Sequence, residues 1–258
     1  MQGWFRLFIC TAVVVALPSC TGESHQRESE PPPATQVAAP PHKEKQPYTL
    51  PGLDHGLVQS PVNILTSRTA GGHHDVAINL HHADPEYLEN KGHTIQLDFP
   101  EGSSVSFDGR SYPLKQLHFH TPSEHQIDGV TFPMEVHVVN MIEPKAPEDP
   151  PRYLVMSFLY KMGAEDTFIT SFLDHVPKEA GGEALEPGTV ELIRRSELEY
   201  EYYHYRGSLT TPPYTETVEW LIVKEIQQAS PEQIRRINLI EGDNARRVQA
   251  MYGRKVEE

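Results

Sequence analysis

From about Tyr48 onward, apolar residues come in short runs of strand length. They are Thr94–Phe99, Ser104–Phe107, Gln116–His120, Glu135–Met141, Tyr153–Tyr160 and Thr217–Val223. Turn-forming pairs stand between them, among them Asp108-Gly109 and Asp128-Gly129, whose residue types suit tight hairpin connections. Helical periodicity is scarce. Thr167–His175 reads as one short helix, with apolar Phe168, Ile169, Phe172 and Leu173. Ser230-Pro231-Glu232-Gln233 is a helix start: a Ser N-cap, Pro at the first helical position and a capping-box Gln. This pattern predicts a mainly β domain over residues 48–258, with a few short helices and no internal repeat.

Within it, Gln116-Leu117-His118-Phe119-His120 carries the chemistry. Side chains on a strand alternate faces, so Gln116, His118 and His120 share one face while Leu117 and Phe119 take the other. Two imidazoles on one rigid face are either core histidines or part of a metal site. Met134–Val139 offers a third imidazole, His137, with Glu135 two residues before it. The two cysteines, Cys10 and Cys20, both lie far toward the N-terminus. A disulfide within the body, thiolate-bound zinc and a cysteine nucleophile are therefore excluded. Any metal falls to the carboxylates and the fourteen histidines.

A catalytic zinc site needs three protein ligands, an open position, and partners that orient the imidazoles. His118, His120 and His137 fit the ligand roles. Gln116 can reach the free ring nitrogen of His118, and Glu135 that of His137. Either pair alone could be an incidental core hydrogen bond, but both stand beside a candidate ligand. His73-His74 and His81-His82 lie in a Gly/Asp-rich stretch and read as a solvated loop or a second metal site.

Residues 1–19 read as an export signal: Arg6 precedes an apolar run, Leu7 to Leu17, too short to span a bilayer. The run ends in Leu17-Pro18-Ser19-Cys20, similar to a lipobox in which Cys20 is lipidated. The alternative is an ordinary cleavable signal. Residues 20–47 are rich in Pro, Glu, Ser, Gln and Lys, a composition that favours an extended linker. Together these predict an exported, periplasmic or envelope protein, membrane-attached only through a lipid anchor. The formal net charge of −14 argues against a nucleic-acid partner.

Several further stretches carry a resemblance. They are Gln59-Ser60-Pro61-Val62-Asn63-Ile64, Asn90-Lys91-Gly92-His93, Ser123-Glu124-His125 and Tyr205-Arg206-Gly207-Ser208-Leu209-Thr210-Thr211-Pro212-Pro213, with Glu216-Thr217-Val218-Glu219-Trp220 following. Together with the His-bearing strands, and in this order, they resemble the α-class carbonic anhydrases over about Gln59 to Gly253. The resemblance implies a large, twisted, mostly antiparallel sheet with zinc at the base of a cleft, and reversible hydration of CO2 to bicarbonate by zinc-bound hydroxide. It assigns Thr210 to accept the hydroxide proton and Glu124 to accept from Thr210. His93 falls on the proton-shuttle position. The CO2 wall falls to Val139, Val155, Leu209, Val218 and Trp220, with Thr211 in the pocket. Weak esterase activity is expected as a side reaction. The rival reading, a binding module on the same fold without activity, is disfavoured by the full ligand set.

The sequence departs from the family in three places. Lys91 stands where many relatives have Asn, putting an ammonium near His93 that would disfavour the imidazolium. The usual Trp/Tyr-rich segment before Gln59 is missing. Exported bacterial relatives often carry a disulfide from a cysteine before Gln-Ser-Pro to one after Thr-Thr-Pro-Pro; here Tyr214 fills the second place and no cysteine the first. The chain is expected to be a monomer or a homodimer. The protein must do without a staple often worth about 2–4 kcal/mol. Reductant is therefore expected to leave its melting temperature unchanged in differential scanning calorimetry; a clear drop would contradict this.

Overall fold

The computed structural model describes residues 56–79, 85–185 and 200–258. The chain divides into two units, Met1–Tyr48 and Thr49–Glu258, and all described residues belong to the second. The signal, the linker, Cys20, Tyr48 and His81-His82 lie outside the described residues. Among those described, no helix is long and apolar enough to cross a membrane.

The described strands are β1 (Asn63–Ile64), β2 (Val76–Asn79), β3 (Tyr87–Asn90), β4 (Ile95–Asp98), β5 (Ser104–Phe107), β6 (Arg110–His120) and β7 (Gln126–Ile127). They continue with β8 (Val130–Thr131), β9 (Met134–Ile142), β10 (Arg152–Met162), β11 (Gly182–Leu185), β12 (Tyr202–Gly207), β13 (Val218–Val223) and β14 (Gln227–Ala229). The main sheet runs β11-β3-β4-β6-β9-β10-β13-β12, with β5 beside β6, β2 beside β5 and β14 beside β10. Its pairings are antiparallel except β10 with β13 and β10 with β14. A small second sheet, β1-β7-β8, lies apart. The expected mostly antiparallel β fold is observed.

Strand parity divides the sheet into two faces, each with its own core. On β10, Leu154, Met156 and Phe158 enter one apolar cluster while Val155 and Leu159 enter another. On β13, Leu221 and Val223 join the first, and Val218, Trp220 and Ile222 the second. On β6, Leu114, Leu117 and Phe119 all belong to the first cluster, although 114 and 117 differ in parity. A register shift between Leu114 and Gln116 against β9 accounts for this, because one extra residue flips every side chain that follows. The bulge therefore decides that His118 and His120 point to the second face.

Helices cover the first face. Helix α1 (Thr167–Leu173) starts at Asp166, whose carboxylate accepts from the Ile169 N–H, and it buries Phe168, Ile169, Phe172 and Leu173 in the first cluster. It ends at Leu173, two residues before the expected His175. Helix α2 (Pro231–Glu241) has the expected capping box between Ser230 and Gln233 and adds Ile234 and Ile237. At about 1.5–3 kcal/mol for each large side chain buried, these residues hold both helices to the sheet. The Asp108-Gly109 and Asp128-Gly129 turns have positive φ at all four residues, as a two-residue hairpin connection requires. Strand β12 was not among the expected strands. Its Tyr202-Tyr203-His204-Tyr205-Arg206-Gly207 sequence has no aliphatic run, yet Tyr203, His204 and Tyr205 are all buried.

Candidate metal centre

Strands β6 and β9 pair antiparallel so that His118 faces His137 and His120 faces Glu135. The three imidazoles converge, with ring centroids 4.5 to 5.2 Å apart, and their available nitrogens lie within 4.8 Å of one another. Gln116 Oε1 accepts from His118 Nδ1 at 2.8 Å, which leaves Nε2 free. Glu135 Oε1 accepts from His137 Nε2 at 2.6 Å, which leaves Nδ1 free. His120 is buried with neither ring nitrogen hydrogen-bonded. A buried imidazole without a partner is costly, and a cation held by all three residues would remove that cost. The donor set suits zinc, which takes imidazole nitrogen and is commonly held by three histidines in catalytic sites.

The environment favours the neutral form of His118 and His120, as metal binding requires. Burial, with the charge of His137 next, pushes His118 down to about 3. Burial and the same neighbour hold His120 well below the usual imidazole range.

Glu135 is the hub of the site. Burial alone would favour its protonated form, but the charges of His125 and His137 and their hydrogen bonds hold it well below the usual carboxylate range. Its Oε1 accepts from His137, from His125 Nδ1 at 2.7 Å and from the Ser157 hydroxyl at 2.6 Å. Its Oε2 accepts from the backbone N–H groups of Glu124 and His125, both at 2.8 Å. The network continues outward from His125 Nε2 to the Tyr205 hydroxyl at 2.6 Å, and from there to Ser60 Oγ at 2.8 Å.

Glu124 is buried beside the ligands. Its Oε2 lies 3.5 Å from His120 Nε2 and 4.0 Å from His137 Nδ1, and its Oε1 accepts from the Arg246 N–H at 2.8 Å. Burial and the Glu135 charge push it up to about 8, against the hydrogen bonds from Thr210 and Arg246. Thr210 is buried, and its side chain hydrogen-bonds Glu124.

Val139, Val155, Val218 and Trp220 fall in one buried cluster with Leu209 packed against it. The pairings that assemble it are Val139 with Val155 across β9–β10, and Val155 with Trp220 across β10–β13. Trp220 stands edge-on to His137, centroids 4.9 Å apart, so this wall adjoins the imidazoles. Thr211 is exposed, and its carbonyl accepts from the Tyr214 N–H to close the turn.

His93 is exposed, with Nδ1 3.1 Å from the Lys91 carbonyl. The Lys91 ammonium turns to Glu89, 2.7 Å away, so the charge expected to bear on His93 is paired with a carboxylate. Residues given no role from sequence also build the site. Ser60, His125 and Tyr205 lie inside the matched stretches, while Ser157 is the one polar residue in the buried run Leu154–Leu159 of β10, which was its signal. Arg246 gave none. Its guanidinium bonds Gln59 Oε1 at 2.9 Å and the Ser60 carbonyl at 2.7 Å, and it lies 3.8 Å over the Tyr214 ring. These contacts tie the two segments that the absent disulfide would have joined.

A two-faced, mainly antiparallel sheet with three converging imidazoles on one face defines a mainly β protein with a candidate histidine-ligated metal centre. The family model for eukaryotic-type carbonic anhydrase matches residues 47–258. The chain is 40% identical over 208 residues to a carbonic anhydrase of Neisseria gonorrhoeae, covering 79% of this chain and 78% of that one. It is 31% identical to a carbonic anhydrase of Pectobacterium atrosepticum, with 77% and 79% covered. Among solved structures it resembles the α-carbonic anhydrase from Thermovibrio ammonificans in complex with the inhibitor sulfanilamide, with a TM-score of 0.72, 32% identity, and 79% of this chain and 88% of that one covered. The chain belongs to the α-class carbonic anhydrases.

Glu135→Gln replaces an anion that orients His137 with an amide. Zinc affinity is expected to fall by about 10–100-fold, measured by competition with a chromophoric chelator. Unchanged affinity in a folded variant would show that Glu135 does not tune the site.

Proposed function

We propose that this chain hydrates CO2 reversibly to bicarbonate and a proton, with zinc held by His118, His120 and His137. The observation that carries the reading is the convergence of three imidazoles, two buried and one half-buried, beside Glu124 and Thr210 on one side and an apolar wall on the other. Zinc held there would supply a Lewis acid that lets water act as a nucleophile near neutral pH.

The chain's own residues do the rest. A divalent cation among the imidazoles favours the ionised form of Glu124 against its burial. Ionised Glu124 accepts the Thr210 proton, so the Thr210 oxygen can only accept in turn. It thereby fixes the direction of a hydrogen bond from the attacking water and aims the nucleophile. Val139, Val155, Leu209, Val218 and Trp220 offer small, uncharged CO2 an apolar surface that competing water does not favour. The Thr210 N–H is the polar contact for substrate, and Thr211 stands at the rim. His93 donates through Nδ1 to the Lys91 carbonyl, which leaves Nε2 able to take a proton and release it to solvent.

Stopped-flow CO2 hydration tests this reading. The parent protein should be active, inhibited by sulfanilamide and silenced by a zinc chelator. His118→Ala should abolish turnover, and Thr210→Ala should lower kcat/KM by about 100-fold. His93→Ala should lower kcat in dilute buffer and recover with added imidazole. Activity that survives both chelation and His118→Ala would overturn the mechanism.

We also propose that residues 1–19 direct export and that Cys20 carries a lipid anchor. The apolar run ending at Cys20 and the polar linker after it support this. Cys20→Ser should move the protein from the membrane fraction to the soluble fraction of the envelope; an unchanged distribution would exclude the anchor.

A further inference from the structure

A second group of metal-ligating side chains shares no residue with the first. His74 precedes β2, His204 lies on β12, and Glu257 is the penultimate residue. The backbone brings them together: Glu257 forms an antiparallel bridge with His204 and a parallel one with Ala70. Gly72 permits the close approach, since a Cβ there would sit 2.8 Å from the Glu257 Cβ. Phe107 floors the site, its ring 4.7 Å from His74 and 5.0 Å from His204. His74 is therefore not in a solvated loop; its side chain is only 18% exposed.

The arrangement is that of oriented ligands. His74 Nδ1 is 2.8 Å from Asp108 Oδ2, and His204 Nε2 is 2.8 Å from Glu219 Oε2. Each outer carboxylate accepts the N–H of one ring nitrogen and turns the other nitrogen toward Glu257, the usual support of a metal-bound histidine. Those nitrogens, His74 Nε2 and His204 Nδ1, both face Glu257 Oε2, at 3.1 and 3.3 Å. Without an ion, a protonated ring donates to Glu257 across these distances, and against its burial Asp108 and Glu257 raise the His74 pKa. With both rings neutral, the same three atoms present lone pairs to a cation. A tetrahedral ion with bonds of about 2.0–2.1 Å holds its ligand atoms roughly 3.3 Å apart, which matches the observed spacing. The adjoining cavity is lined by His73 and Lys224. It leaves a fourth position for water or for His73, and the Lys224 ammonium is paired with Glu258 at 2.8 Å.

We propose that His74, His204 and Glu257 form a second zinc site, structural in role, that fastens the C-terminal residues to β12 and to the loop before β2. Two imidazoles and one carboxylate suit zinc. The ligands are distant in sequence, so one ion would close long loops in a domain that has no disulfide to do so.

The test titrates Zn2+ into the metal-stripped full chain and counts the ions retained after desalting. The parent should keep two, His118→Ala one, Glu257→Gln one, and the double variant none. His74→Gln should repeat the Glu257→Gln result, which guards against a folding defect in one variant. In His118→Ala protein, Zn2+ should raise the melting temperature, and the added Glu257→Gln should abolish that rise. Glu257→Gln alone should retain CO2 hydration. The second site is overturned if the parent keeps a single ion that His118→Ala removes, or if the double variant keeps as many ions as His118→Ala. Either result would leave the His118 site standing.

Discussion

A buried carboxylate holds the active face of this protein together. Glu135 is fully buried, and an ionised group in that position costs several kcal/mol unless its lone pairs are occupied. Five donors occupy them: two imidazoles, one hydroxyl and two backbone amides. These come from β9 itself, from Ser157 on β10 and from the 124–125 segment. One anion thus fixes the His137 ring, the backbone that carries Glu124, and the His125–Tyr205–Ser60 chain leading out to β12 and the N-terminal segment. Glu124 feels the same charge and is pushed toward protonation by it. A cation held by the three histidines would oppose that push.

The apolar wall depends on a different constraint, the period-2 geometry of the sheet. Val139, Val155 and Trp220 are neighbours on three adjacent strands, so once the pairing is set they must share a face with His137 and Glu135. The bulge in β6 sets the pairing on the other side. Without it Leu114 and Leu117 would lie on opposite faces, and the strand could not satisfy the first core while presenting His118 and His120 to the second. The helices, by contrast, serve only the first core. Their contribution to the site is indirect, through the rigidity of the strands they cover.

Two clasps join segments that are far apart in the chain. Arg246 bonds the Gln59–Ser60 segment and lies over Tyr214. Gln59 in turn donates to the Tyr214 carbonyl and to Glu216. At the chain's other margin, the C-terminal strand residues are bridged to both Ala70 and His204, with the His74–Glu257–His204 group above them. Both work as a covalent staple would, but through hydrogen bonds and charged groups.

Much of the site was legible because it rests on local rules. Alternation placed Gln116, His118 and His120 on one face, and the same rule paired Glu135 with His137. Turn chemistry located Asp108-Gly109 and Asp128-Gly129, and capping chemistry located the start of α2. The cysteine count fixed the kind of metal ligand before any fold was known. The family resemblance supplied Glu124, Thr210 and the wall residues, none of which spacing alone would select. What the sequence left open were contacts between segments with no local signature. The pairing of β6 with β9, the parallel insertion of β13 beside β10, Arg246 under Glu124, and Glu257 between His74 and His204 all depend on chain segments 19 to 183 residues apart meeting in space. Local sequence sets which way a side chain points along its own strand. Only the packed sheet decides which charge or lone pair it will face.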